Sequence, residues 1–150
     1  MSKFDHGGIV RTSIAVTLLT VISAISCGSS DASKEPQPGN RYKIVGPLYL
    51  AGIYRNLNKR QLNRQMAVAS LDAVRFSGPE VAFQRKVPIG TIMTIIGPAP
   101  KRVPLPFYAN RYFVRLDPAD LSIELDTILE LDGEIKGSLD GLNPEFFGRP

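Results

Sequence analysis

The spacing of apolar residues between positions 41 and 150 most strongly limits what this chain can fold into. These residues come in short runs, and Gly or Pro stands between most of the runs. A surface helix needs apolar residues to recur over roughly ten positions or more, whereas a strand needs only about five. The 13 glycines and 12 prolines among 150 residues supply the turns. The sequence therefore predicts a single, mainly β domain.

Strands are predicted where apolar and polar residues alternate or where β-branched residues cluster. The clearest alternation runs over residues 123–131, with Ile128 as its exception. Asp132 and Gly133 follow this segment and predict a tight hairpin turn, because such a pair accepts the positive φ angles that the turn requires. The segments predicted as strands are residues 41–45, 48–54, 81–87, 91–96, 111–116, 123–131 and 135–139.

Residues 59–74 have a different pattern. Leu62, Met66, Ala69 and Ala73 follow one another at spacings of four, three and four, which would place them on one face of a helix. Other apolar residues of the segment fall outside that face. We expect one helix here, packed on a small, strongly bent antiparallel sheet or barrel.

The sequence Pro88-Ile-Gly-Thr91 stands directly before an apolar strand. This turn into a strand resembles the one found in small Src-homology-type barrels. The resemblance implies a fold and no function, because one fold serves many functions.

The first 26 residues have the composition of an export signal. Lys3 and Arg11 form a modestly basic start, and residues 14–25 are apolar and carry no charge. This stretch is shorter than the ~20 residues that span a bilayer comfortably. A secretory signal peptide over residues 1–26 is the prediction, and an uncleaved membrane anchor is the alternative.

The signal ends in Ser23-Ala24-Ile25-Ser26-Cys27, which resembles a bacterial lipobox. The resemblance implies that a diacylglyceryl group is attached to the sulfur of Cys27, that cleavage precedes this residue, and that its new amino group is acylated. Ala24 departs from the Leu that the family prefers. Gly28, where an Asp would favour inner-membrane retention, resembles the pattern of lipoproteins placed in the outer membrane facing the periplasm. A plain secretory signal remains the alternative, although Cys27 is the only cysteine and lipidation explains why it has no disulfide partner.

Residues 28–40 are rich in Gly, Ser, Pro and charged residues and cannot form a core. As an extended chain they would reach roughly 45 Å, and as a random coil about 20 Å. The predicted organisation is therefore a signal peptide over 1–26, a lipidated cysteine and flexible tether over 27–40, and a folded domain over 41–150.

Few catalytic arrangements are compatible with this domain. The only histidine is His6, inside the signal, and the only cysteine is Cys27. Serine and cysteine triads and zinc sites therefore lack their residues, and no phosphate or calcium loop occurs, so no metal or cofactor is expected. Paired carboxylates remain, but the alternation predicts that Glu124, Asp126 and Glu130 lie on a solvated face. We expect binding, and a hydrolase that uses carboxylates ranks third among the functions considered.

Charge is distributed unevenly along the domain. Residues 41–115 contain thirteen basic and two acidic residues, whereas residues 116–150 contain two basic and nine acidic ones. Such halves either pair across strands or form a bipolar surface that steers a charged partner. Nucleic acid is not an expected partner, because the chain is predicted to be exported.

The connection over residues 97–110 contains four prolines, which stiffen it toward an extended form. Cationic and aromatic residues together are typical of interface anchors. We predict that this loop recognises a protein partner in the bacterial envelope, such as a secreted enzyme that the chain neutralises or an assembly to which it belongs. A peptidoglycan-binding module is the runner-up function. The structural alternative is that the apolar residues of the loop cap the core. The predicted contacts are Lys101, Arg102, Leu105, Phe107 and Tyr108.

Overall fold

A computed structural model of the chain describes residues 35–101, 109–122 and 124–150, without the side chain of Asp120. These residues belong to one compact unit that spans Asp31–Pro150. Short 3-10 turns occur at Ala119–Ser122 and Gly133–Ile135. The strands are β1 Arg41–Ile44, β2 Leu48–Tyr54, β3 Ala67–Asp72, β4 Val81–Val87, β5 Ile92–Pro98, β6 Arg111–Asp117, β7 Thr127–Glu130, β8 Lys136–Leu139 and β9 Phe147–Gly148.

The mainly β class is confirmed, and the helix predicted over residues 59–74 is wrong. Residues 67–72 form β3 instead, which pairs with β2 on one side and with β7 on the other. Leu62, which the helical spacing placed on a buried face, is 43% exposed. The spacing misled because β3 lies in the middle of the sheet, where both faces are largely covered and polar residues no longer alternate with apolar ones.

Eight strands form one sheet in the order β4-β2-β3-β7-β6-β5-β1-β9. The β3–β7 pair is parallel and the other pairs are antiparallel, so the sheet is not the purely antiparallel one that was predicted. A parallel pair needs a long crossover, and here β4, β5 and β6 intervene between β3 and β7. The edge strands β4 and β9 do not pair with each other, so the sheet is open and does not close into a barrel.

One face of the sheet, called the inner face below, packs into the core. Alternate residues of each strand point into it, and the C-terminal segment contributes Leu142, Phe146 and Phe147. The opposite face is called the outer face. Fully buried side chains of the core include Tyr42, Ile44, Leu50, Leu71, Met93, Ile95 and Leu129.

The strand predicted over residues 123–131 is shorter in the structure. Glu124 has a φ of 58°, a left-handed conformation that no strand continues through, and β7 begins only at Thr127. Ile123 lies outside the described residues. Ile128, the exception in the sequence pattern, is buried on the outer face, because β7 is a central strand that is covered on both sides.

No hairpin forms at Asp132 and Gly133. A 3-10 turn follows instead, and β8 makes isolated bridges to Leu142 outside the eight-stranded sheet. The described part of the chain contains no helix that is both long and apolar enough to cross a membrane.

The last residues of the predicted tether pack on the sheet. Pro36 is buried, and the backbone N–H of Gly39 donates to the carbonyl of Ile95 at 2.8 Å. The Tyr112 hydroxyl donates to Glu35 Oε2 at 2.8 Å, and Asn110 Nδ2 donates to the other oxygen of the same carboxylate. The chain therefore enters the folded unit beside the start of β6.

Candidate binding groove

Four apolar side chains meet on the outer face, one from each of four adjacent strands. They are Ile53 of β2, Val68 of β3, Ile128 of β7 and Phe113 of β6. Ile53 stands opposite Val68, and Phe113 stands opposite Ile128, in the registers of the two pairs. Ile128 is 4% exposed and the others are half-buried, so the strands present a rigid apolar floor that water reaches only in part.

Two connections complete a groove of about 650 Å³ over this floor. Phe76 and Glu80 belong to the segment between β3 and β4, and Pro100 and Lys101 begin the proline-rich connection. The first segment is held to the sheet because the Phe76 N–H donates to Gln84 Oε1 at 2.7 Å. We call this site the outer-face groove; its lining residues are Ile53, Tyr54, Arg55, Val68, Phe76, Glu80, Pro100, Lys101, Arg111, Phe113 and Ile128.

Arg111 and Glu130 face each other across β6 and β7 at one end of the groove. Arg111 Nε lies 3.5 Å from Glu130 Oε2, and their side chains are only 10% and 16% exposed. Arg111 Nη1 also donates to the carbonyl oxygen of Pro100 at 2.8 Å. The pair therefore fixes the start of the proline-rich connection, and the prediction that Glu130 lies on a solvated face is wrong.

The charges of the groove give it a weakly basic rim. Arg55 and Lys101 are exposed and Glu80 is half-buried, and all three line the groove. The charge of Arg111 is compensated by Glu130. Since Arg55 and Lys101 have no ion-pair partner among the described residues and the lining contains one carboxylate, the groove favours a ligand that carries negative charge beside an apolar group.

Two tyrosines have unusual acidities, and both lie on the inner face, outside the groove. Burial, a hydrogen bond to Asp140 and the charge of that carboxylate raise the pKa of Tyr42 to about 12. Burial and the interaction with Glu35 raise the pKa of Tyr112 to about 12 as well. Tyr42 donates to Asp140, which also pairs with Arg149, and Tyr112 donates to Glu35, so both shifts have a structural origin.

The residues predicted from sequence reach the groove only in part. Lys101 lines it, whereas the other predicted contacts of the loop and the lipidation residue lie outside the described residues. Sequence reasoning missed the apolar floor. The sequence contains only a weak indication of this floor: on the outer face of β6, the apolar Phe113 stands between Arg111 and Arg115. The predicted residues that lie outside the described part of the chain are Arg102, Leu105, Phe107, Tyr108 and Cys27.

Within the described ranges, no three carboxylate, histidine or cysteine side chains are grouped closely enough to hold a metal ion. The groove itself contains one carboxylate, Glu80, so it offers no carboxylate pair of the kind that glycosidases use. Comparison of the chain with models of known protein families, with curated proteins and with solved structures gave no match.

Proposed function

We propose that the chain is a lipoprotein of the bacterial envelope whose folded domain binds a protein partner and catalyses no reaction. The anchor is acyl chains on Cys27, and its support is the leader sequence, which ends in the lipobox-like residues 23–27. Two or more acyl chains hold a protein stably on a membrane, whereas a single chain holds it marginally. Gly28 supports an outer-membrane address that faces the periplasm.

The outer-face groove is the observation that carries the binding function. Its floor is apolar and its backbone is fixed by strand pairing on both sides of β3, β7 and β6. A rigid apolar surface costs little conformational entropy when a ligand orders on it. Burial of such a surface by a partner stabilises the complex at roughly 25 cal/mol per Å² before the costs of association.

A protein is the partner that suits this groove best. Its volume of about 650 Å³ would accept one or two side chains of a bound segment, and its rim of Arg55 and Lys101 would orient an acidic group of that segment. The remaining cationic and aromatic residues of the proline-rich loop follow Lys101 directly in sequence. We propose that Arg102, Leu105, Phe107 and Tyr108 extend the recognition surface.

Fatty-acid labelling tests the anchor. Cells that express the chain would be fed a fatty-acid probe, with Cys27→Ala as the variant and Ser26→Ala as the control. We expect labelling of the wild type and of the control, and none of the Cys27 variant, because its sulfur and new N-terminus are the acceptors. Equal labelling of wild type and Cys27→Ala would contradict the proposal.

Affinity measurements test the groove. The partner would be captured from envelope extracts, purified, and titrated against the chain and against Arg55→Ala/Lys101→Ala. We expect this double variant to weaken binding on the order of tenfold, or ~1.4 kcal/mol, because both side chains are exposed at the rim. Lys59→Ala/Lys136→Ala removes the same charge elsewhere and should bind within about twofold of wild type.

Sedimentation with purified cell wall separates the runner-up from this proposal. A peptidoglycan-binding module would sediment with the wall without any protein partner, and Arg55→Ala/Lys101→Ala would abolish that sedimentation. A chain that binds the purified protein and stays in the supernatant with cell wall alone supports the proposal.

A further inference from the structure

A row of polar residues crosses the outer face at the opposite side of the sheet from β4. Arg41 of β1 stands opposite Thr94 of β5, and Thr94 stands opposite Arg115 of β6. Neighbouring strands lie about 4.8 Å apart, so the two arginines flank the threonine across roughly 10 Å. Between them lies a hollow of about 400 Å³, which they line together with Thr94 and Asp117.

The cations of this row are uncompensated. Arg41, Arg115 and the neighbouring Lys43 are exposed, and none of their side chains makes an ion pair or hydrogen bond with a described residue. Asp117 is the acidic residue that lines the hollow, so two positive charges and one negative charge line it, and Lys43 adds a third cation on the same strand as Arg41. By contrast, Arg111 on the same strand as Arg115 is paired with Glu130.

Exposed isoleucines accompany these cations. Ile92, Thr94 and Ile96 alternate along the outer face of β5, and Ile96 is 51% exposed. In the turn before β5, Ile89 is 65% exposed, and the aliphatic part of Lys43 approaches the adjacent Gly90. Basic residues with exposed large apolar side chains on one surface are the composition that binds the headgroup region of a membrane.

The proposed anchor at Cys27 would hold the start of the folded unit near a membrane. The described chain begins at Glu35, and β1 begins with Arg41, so the row lies on the first strand after the tether. The stretch from Cys27 to Glu35 can span at most about 29 Å. A domain anchored at Cys27 would therefore keep Glu35 within about 29 Å of the anchor, and Arg41 follows six residues later.

We propose that the outer face of β1, β5 and β6 docks the domain on an anionic phospholipid surface. Arg41, Lys43 and Arg115 contact headgroup phosphates, and Ile89 and Ile96 enter the interface. The location of this event rests on the proposed lipid anchor, whereas the binding does not require Cys27. The three cations do not line the outer-face groove, so their replacement tests docking without altering the groove's lining.

Partition into vesicles tests this docking surface. The full-length chain with Cys27→Ser would be titrated with vesicles of phosphatidylcholine alone and of phosphatidylcholine mixed with phosphatidylglycerol. The ratio of the two partition constants isolates the electrostatic contribution, because the apolar leader binds both kinds of vesicle. Each basic residue near an anionic surface contributes about fivefold. We therefore expect Arg41→Gln/Lys43→Gln/Arg115→Gln to lower the ratio at least about tenfold.

The matched control removes the same charge from other exposed positions, as Lys59→Gln/Lys86→Gln/Lys136→Gln. Its ratio should stay within about threefold of the parent, because headgroup attraction decays within a Debye length of the surface. An equal loss in both triple variants, or a parent ratio near one, would overturn the proposal. Absence of fatty-acid labelling from the wild-type chain would refute the anchor and leave this ratio unchanged, so the two failures are distinguishable.

Discussion

The two halves of the outer face share one sheet and differ in how they are covered. Over β2, β3, β7 and β6, two connections enclose an apolar floor, and the charge of Arg111 is compensated by Glu130. Over β1, β5 and the end of β6, Arg41, Ile96 and Arg115 are exposed, and the two arginine side chains have no ion-pair or hydrogen-bond partner among the described residues. One face of a sheet can therefore present an apolar recognition site where connections lie over it and a basic docking surface where its charged side chains are exposed.

Isoleucine truncation should separate the two halves most strongly. Ile128 is 4% exposed in the groove half, and Ile96 is 51% exposed in the basic half. Ile128→Ala should lower the free energy of unfolding by about 2–4 kcal/mol, because it leaves a cavity, whereas Ile96→Ala should lower it by less than about 1 kcal/mol. Chemical denaturation of both variants measures the difference. Similar losses would show that the two halves are equally covered.

Arginine truncation on β6 should also distinguish the two halves, with a smaller difference in the free energy of unfolding. Arg111 and Arg115 lie on one strand and one face, but only Arg111 is largely buried and paired. Arg111→Ala should lower the free energy of unfolding by about 2 kcal/mol, because Glu130 then loses its partner. Arg115→Ala should leave it within about 0.5 kcal/mol of wild type. Thermal unfolding at two salt concentrations would check this, since the partly buried pair is screened less than surface charges are.

Alkaline titration tests whether both halves unfold together. Tyr42 of β1 and Tyr112 of β6 each have a pKa raised from 10.0 to about 12 by burial and by a hydrogen-bonded carboxylate. The folded chain therefore holds protons that the unfolded chain has lost, so stability should be complete below pH 10 and should fall as the pH rises toward about 12. Tyr42→Phe and Tyr112→Phe should each make that fall shallower in one common transition. Separate transitions for the two variants would show that the halves unfold independently.

The sequence predicted β2, β4 and β6 closely, misjudged the two strands of the parallel pair, and did not predict β9. The predicted bounds of β2 and β4 agree with the structure. Turn residues stand before β2, and apolar and polar residues alternate along β4. β3 was taken for a helix, and β7 was extended too far. Both are central strands covered on two faces, so their residues carry little alternation, and their parallel pairing depends on a long crossover that no local pattern encodes.

The groove was predictable only at its rim. Lys101 was identified because cationic and aromatic residues cluster within one connection. The floor residues Ile53, Val68, Phe113 and Ile128 come from four strands, and sheet register alone brings them together. The partnership of Arg111 and Glu130 was missed for the same reason, since the two residues pair only when β6 lies beside β7.

The most direct test of the division between the two halves is the affinity of the purified partner for two matched double variants. Arg55→Ala/Lys101→Ala removes two exposed cations from the groove rim, and Arg41→Ala/Arg115→Ala removes two from the basic half. We predict that titration calorimetry gives about tenfold weaker binding for the first variant and binding within about twofold of wild type for the second. Equal weakening in both variants, or weakening only in the second, would contradict the assignment of partner binding to the outer-face groove.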